Sequence, residues 1–298
     1  MYKYSLGTTI TRVIIGFLLL KDFSVYLLFR EKLFGNMSIV PQDMYTSILK
    51  WYNISFLEIN FRNDLLLTSV LLTSILATFF FILGKYKTIS GFYIFYILLH
   101  LKFKNVYILD GADTVISVLL PFLSLSYSNP IFGLKMSKFN LGYRLNYLRR
   151  IVQLNCLLGL KVQFAIIYFF AALDKIFSPA WQKGIALYYA LQLKDFLISD
   201  ISLVIAKNTF LVKLGTYVTI IWEILFPVLI WSRKYKKCII IISVIMHLGI
   251  LFLMRIDNYS ILMISVYPIY LTNNEIYSIK NTLNFRFSKF FNFQKELQ

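Results

Sequence analysis

The chain has 298 residues, 58% of them hydrophobic and only 15% charged, with a net charge of +17. A soluble domain usually carries about a quarter charged residues, and a mean hydropathy of +0.68 is more apolar than a water-soluble core of this length can hide. The composition argues against an ordinary soluble globule and points to a bilayer as the solvent, with 21 Tyr and 28 Phe available for the headgroup boundary, where amphipathic rings are stable.

A bilayer core is crossed by roughly 20 apolar residues of helix. The first apolar run, 6–29, contains Arg12, Lys21 and Asp22. No small-residue cleavage site follows the stretch 13–20, so it reads as a first helix and not as a cleavable signal peptide. Further runs follow at 65–84, 88–103, 113–128, 151–173, 209–232, 238–255 and 258–272. The expectation is an all-α, multispan integral membrane bundle of about eight transmembrane helices. It forms a single domain, 1–298, without repeat or linker. Cys156 and Cys238 both fall in apolar runs and read as buried thiols. They lack the CxxC or Cys/His clustering that a metal site needs.

Charge placement sets the expected orientation. Three connections are purely basic: Lys85 and Lys87; Lys135, Lys138, Arg144, Arg149 and Arg150; and Arg233, Lys234, Lys236 and Lys237. The tail adds Lys280, Arg286, Lys289 and Lys295. The alternate connections hold Glu31, Asp43, Glu58, Asp64, Asp110, Asp113, Asp174, Asp195, Asp200 and Asp257. By the positive-inside rule both termini are cytoplasmic, and 30–64 and 174–208 are extracytoplasmic loops. The same rule accounts for the net charge without any nucleic-acid partner. Loops of that length are commonly functional or contain helices of their own.

Polar groups at membrane depth are costly and are functional suspects for that reason. Asp110 and Asp113 share one face of a helix start, where they can cap free N–H groups or handle a proton or cation. Lys175 ends an apolar helix, with Tyr168 two turns earlier on the same face. Lys175 is either a base or a lysine reaching for headgroups. Glu223 lies in Trp222-Glu223-Ile224-Leu225-Phe226-Pro227 and must be protonated, paired or hydrogen-bonded there; Pro227 should kink its helix. Arg12 and His247 are the remaining intramembrane polar residues. His100 and His247, the only two histidines, are too far apart to suggest a metal. Neither a phosphate-binding glycine loop nor a GxSxG elbow is present.

Taken in order, these segments resemble the HTTM family, the membrane domain shared with vitamin K-dependent γ-carboxylase. The resemblance begins at Thr11-Arg12-Val13-Ile14-Ile15-Gly16, passes through Leu33-Phe34-Gly35 and Pro41, and continues with Ile108-Leu109-Asp110-Gly111-Ala112-Asp113. It is densest where Gln163, Tyr168, Lys175, Trp181 and Gly184 give Q-x4-Y-x6-K-x5-W-x2-G, followed by Glu223-x3-Pro227 and His247. In the carboxylases a lysine after this tyrosine segment is the base that deprotonates the quinol, and the matching position is Lys175. A quinone or hydroquinone cofactor and an extracytoplasmic active side are implied by that resemblance alone. Two departures stand out: Lys104-Asn105-Val106 lacks the histidine found there in the carboxylases, and their large luminal domain has no counterpart in these residues. Glutamate carboxylation is therefore not expected. Stand-alone bacterial proteins of this size also resemble the B component of sporulation-delaying toxin systems, membrane proteins that help to mature a small secreted antimicrobial peptide.

The expected function is accordingly that of a multi-pass cell-membrane protein acting on a secreted peptide at the outer face, with companion maturation proteins. Lys175 is its base, Asp110, Asp113 and Tyr168 position that base, and Glu223, Arg12 and His247 give support. Three alternatives stand beside it: a non-enzymatic scaffold, immunity or export partner; a quinone-linked membrane enzyme related to the γ-carboxylase/epoxidase, as the resemblance implies; and a transporter, which would need midplane polar residues and usually internal repeats.

Overall fold

A computed structural model describes residues 3–108, 110–131, 142–193 and 200–282. Leu109, Lys135, Lys138, Asp195 and the tail cations Arg286, Lys289 and Lys295 lie outside the described residues. The described chain is all-helical. Helices α1 (Ser5–Leu28), α2 (Arg30–Leu33) and α3 (Gln42–Trp51) are followed by α4 (Asp64–Leu83), α5 (Lys87–Lys104) and α6 (Gly111–Leu125). Then come α7 (Gly142–Phe177), the short α8 (Pro179–Gln182) and α9 (Ala186–Ala190), α10 (Asp200–Lys207), α11 (Thr209–Leu229), α12 (Lys236–Met254) and α13 (Asp257–Val266). A 3-10 turn, Tyr267–Tyr270, continues α13.

Local chemistry sets several of the ends. The Asn63 side chain accepts from Leu66 N at the start of α4, and Asn208 does the same for Leu211 N at the start of α11; each satisfies one of the free N–H groups of a first turn. Gly84 ends α4 with φ +79°, a left-handed conformation that suits glycine. Pro227 does not end α11, which continues to Leu229.

The long helices pack as a ring. α1 lies on α4, α4 on α5, α5 on α6, α6 on α7 and α7 on α11, while α12 meets α11 and α13, and α13 returns to α1. Its interior is filled by Phe23, Phe34, Leu67, Leu71, Phe81, Ile94, Leu119, Leu123, Phe164 and Phe226, all fully buried. The outward faces are apolar too: Leu65, Leu72, Leu76 and Phe79 of α4 are exposed, as are Ile241, Ile245 and Phe252 of α12. Helices that are apolar all round suit a lipid environment.

Four described helices are long and apolar enough to cross a membrane: α4, α7, α11 and α12; α6 is apolar but shorter. The run expected at 151–173 belongs to a helix of 36 residues, about 54 Å long at 1.5 Å per residue. Its last turn carries Asp174 and Lys175, so the 174–208 segment begins inside a helix and then holds α8, α9 and α10. The 30–64 segment likewise contains α2, α3 and the 3-10 turn Ser55–Leu57. The reading of two buried thiols needs correction: Cys156 is half-buried, but Cys238 is exposed on the first turn of α12, where an outward apolar face tolerates a thiol.

Candidate functional site

The two ends of the bundle differ in charge and in the way cations are held. At one end the α1 residue Arg12 is fully buried. Its guanidinium donates to the carbonyls of Phe81, of Ile82 at 2.6 Å and of Asn129 at 2.7 Å. Phe81 and Ile82 belong to the last turn of α4, where carbonyls run out of intrahelical donors, although Phe81 O also accepts from Gly84 N at 3.1 Å. Arg12 thus caps α4 from a neighbouring helix, and a Cβ on Gly84 would meet its guanidinium at 2.9 Å. Lys87 similarly donates to Ser124 O at 2.8 Å and to Ser126 O, at the end of α6.

The opposite end carries the acids. Asp110 is the N-cap of α6: it accepts from Asp113 N at 2.9 Å, while the Asp113 carboxylate accepts from Asp110 N at 3.1 Å. This reciprocal pair is a capping box. Lys102 donates to Asp113 O and to Ser117 Oγ, both at 2.5 Å. The Asn258 amide lies 3.4 Å from Asp110 Oδ2, and its oxygen accepts from Lys21. The Tyr259 ring covers Gly111, where a Cβ would come within 3.2 Å.

Lys175 meets a partner on another helix. Its Nζ lies 2.9 Å from Glu223 Oε2 on α11, with the two side chains 21% and 13% exposed. The Trp181 ring centroid is 5.1 Å from the ammonium, within range of a cation–π contact. Among the described residues it also approaches Ala171 O at 3.4 Å, longer than a good hydrogen bond. Glu223 is 14 residues into α11, about 21 Å along it, and Lys175 is in the last turn of α7. At 2.9 Å the contact with Glu223 is a charge-assisted hydrogen bond as well as an ion pair; an ammonium has three donors, so it does not exhaust Lys175. Gly184, the last position of the sequence pattern, takes φ +72° beneath the Tyr217 ring, whose hydroxyl donates to Gln182 O at 3.0 Å. That turn holds α8 and Trp181 over the end of α7.

Tyr168 is buried one layer deeper. Its hydroxyl is 2.8 Å from His247 Nε2 and 2.5 Å from the Tyr267 hydroxyl, and its ring stacks on Phe226 at 4.0 Å. His247 Nδ1 has no hydrogen-bond partner among the described residues, and the Tyr259 ring lies 5.6 Å from the imidazole. Glu223 is near enough to act electrostatically on Tyr168, Tyr259 and Tyr267.

The structure therefore brings together Lys175 with Glu223, and Tyr168 with His247. It does not put Asp110, Asp113 or Tyr168 in contact with Lys175. The two aspartates bond to each other and to Asn258, Tyr168 bonds inward, and Arg12 serves the far end of α4. Sequence reasoning missed Tyr259 and Tyr267; the tyrosines of 258–272 were the available signal, but nothing local ties them to His247. Among the described residues no group of three metal-ligating side chains converges.

No family model and no solved structure matches the chain. Among curated proteins it is 25% identical to the sporulation-delaying protein SdpB of Bacillus subtilis over 228 residues, 74% of this chain and 66% of that protein. It is 27% identical to the uncharacterized protein YitO of the same organism over 117 residues, 38% of each chain. The chain thus spans 66% and 38% of the length of these relatives. The similarity to SdpB is distant, and no family model carries the HTTM resemblance.

Proposed function

We propose that this chain is a single-domain, HTTM-like, multi-pass protein of the bacterial cell membrane, with eight spans and cytoplasmic termini. In this reading it takes part in the maturation or modification of a secreted peptide at the outer face. The observation that carries it is the Lys175–Glu223 pair. An ion pair among apolar helices gains little over packed apolar side chains and is often replaceable by them, so its presence in a bundle this apolar argues for use. The distant similarity to SdpB supports the biological setting. The outer assignment of 30–64 and 174–208 rests on charge, since the acids gather at the end where α1, α5, α7 and α12 finish.

Chemically, the pair is a proton-holding site. For Lys175 to act as a base its proton would first pass to Glu223, 2.9 Å away, or to water. A protonated Lys175, with donors beyond that contact, can equally bind an anionic or carbonyl group of a substrate. A hydroquinone, the cofactor class implied by the family resemblance, would find a proton acceptor in Lys175 and an aromatic neighbour in Trp181, so the donor set fits such a group. Asp110, Asp113 and Tyr168 then support the site through the fold, by capping α6 and packing the core beneath the pair.

A second reading, a non-enzymatic scaffold, immunity or export partner, draws on the capping roles of Arg12, Asp110 and Asp113, which are complete without a substrate. Mass spectrometry of secreted peptides separates the two readings, using cells with the wild-type chain, a deletion and Lys175→Ala, with membrane levels matched. The catalytic reading expects one peptide to change mass or vanish in both altered strains. A change confined to the deletion supports the scaffold, and no change in either removes peptide maturation altogether.

A further inference from the structure

Helix α3 lies outside the ring of long helices and carries three distinct stripes. Gln42, Tyr45 and Leu49 are buried: the Tyr45 hydroxyl is 2.7 Å from His100 Nδ1 on α5 and accepts from Ile59 N at 3.2 Å. About 100–130° round the helix, at 100° per residue, Asp43, Ser47 and Lys50 form a polar stripe, with Asp43 paired to Arg62 at 2.9 Å. The third stripe is Met44, Ile48 and Trp51. Met44 is 49% exposed and Trp51 81% exposed. Such a helix has one face for protein, one for water and one that neither explains.

We propose that α3 lies in the plane of the outer leaflet, with Met44, Ile48 and Trp51 seated at the boundary between headgroups and acyl chains. Three observations favour lipid as the occupant. The stripe is continuous with the outward surface of the bundle, because Trp51 packs on Tyr52 at 5.4 Å and Tyr52 on Phe103 of α5 at 5.8 Å. Its aromatic member Trp51 and the adjoining C-cap Tyr52 have apolar bodies with one polar atom each, the side chains that settle at this boundary. The charged stripe sits at a fixed angle to it, as expected of a helix whose opposite side is in water. The proposal rests on the chain being a membrane protein and is independent of any chemistry at Lys175. Its consequence is mechanical: through Tyr45 and His100, α3 ties the 30–64 segment to α5 at a set depth.

The test uses the full chain in vesicles of phosphatidylcholine and phosphatidylglycerol. In a variant with Trp181, Trp222 and Trp231 changed to Phe, Trp51 emission should be strongly quenched by phosphatidylcholine brominated high on its acyl chains and only weakly by acrylamide. Because Trp222 is buried and its loss could perturb the fold, a second arm keeps every Trp and replaces Cys156 and Cys238 with Ser. There Ser47→Cys should react with a membrane-impermeant maleimide several-fold faster than Met44→Cys. Equal reactivity at the two positions would put the stripe in water and overturn the proposal. A protected Met44→Cys without bromolipid quenching of Trp51 would also overturn it, in favour of a protein or peptide occupant.

Discussion

Arg12 and Lys175 are both cations on helices of an apolar bundle, and they are held in opposite ways. Arg12 is fully buried, with three carbonyl acceptors fixed by the end of α4 and by Asn129. Lys175 keeps 21% of its side chain exposed and has one carboxylate and one ring around it. A guanidinium is a planar fork that suits several fixed acceptors, whereas an ammonium is a point charge on a flexible stem. The first arrangement commits both terminal nitrogens of the guanidinium to carbonyls and leaves only its buried Nε without a partner among the described residues. The second leaves donors unassigned at a place open to one end of the bundle. A buried cation in an apolar bundle is therefore not by itself a functional residue; what separates the two is whether its partners are fixed backbone carbonyls or an ionisable side chain on another helix.

This contrast can be broken by mutation. The largest effect is expected at Arg12→Ala, which orphans buried carbonyls at roughly 1–3 kcal/mol each; detergent-solubilised protein should show a clear fall in thermal midpoint and reduced membrane levels. An unchanged midpoint would mean that water replaces the cap. Next come Glu223→Leu and Lys175→Met, alone and together. Each single change leaves a charge unpaired between apolar helices, while the double variant leaves none. The double-mutant cycle should therefore return a coupling of about 1–3 kcal/mol, and additive effects would sink the pair as a unit.

The smallest effect concerns the basic end. Glu275 is pushed up by burial, but this is outweighed by hydrogen bonds from Thr272 N at 2.7 Å and from Lys236 at 2.9 Å, which bring its carboxyl down to about 2. A carboxyl lowered on folding contributes stability that is fully present above its usual value near 4.5 and is lost as pH falls towards 2. Acid titration of the wild type and Glu275→Gln should thus diverge above that window and converge below it. Parallel curves would show that the α12 contact contributes nothing to stability.

How much of this was legible differs residue by residue. The Asp110–Asp113 cap could be read directly, because its partners are three residues apart and share one helix start. The 151–173 run was recognised as a helix, but its extent was not: the polar residues from Gly142 to Arg150 have no apolar period to announce a helix, and only the built chain shows that it continues. The grouping of Tyr168 with Lys175 rested on their common face of α7. That spacing is real, yet the aromatic side chain turns inward to His247 and Tyr267, since a buried hydroxyl needs partners that the next turn of α7 does not offer.

By itself the sequence determined the apolar character of the bundle, its helical class, the end that gathers acid and the Asp110–Asp113 cap. All of these follow from composition, period or contacts within a few residues. Only the tertiary structure decided that Arg12 caps α4, that Lys175 faces Glu223 and that Tyr168 faces His247. Each of those pairings joins separate helices, and inside an apolar bundle a polar side chain bonds to whatever the packing of the ring brings within about 3 Å, which no spacing along one helix encodes.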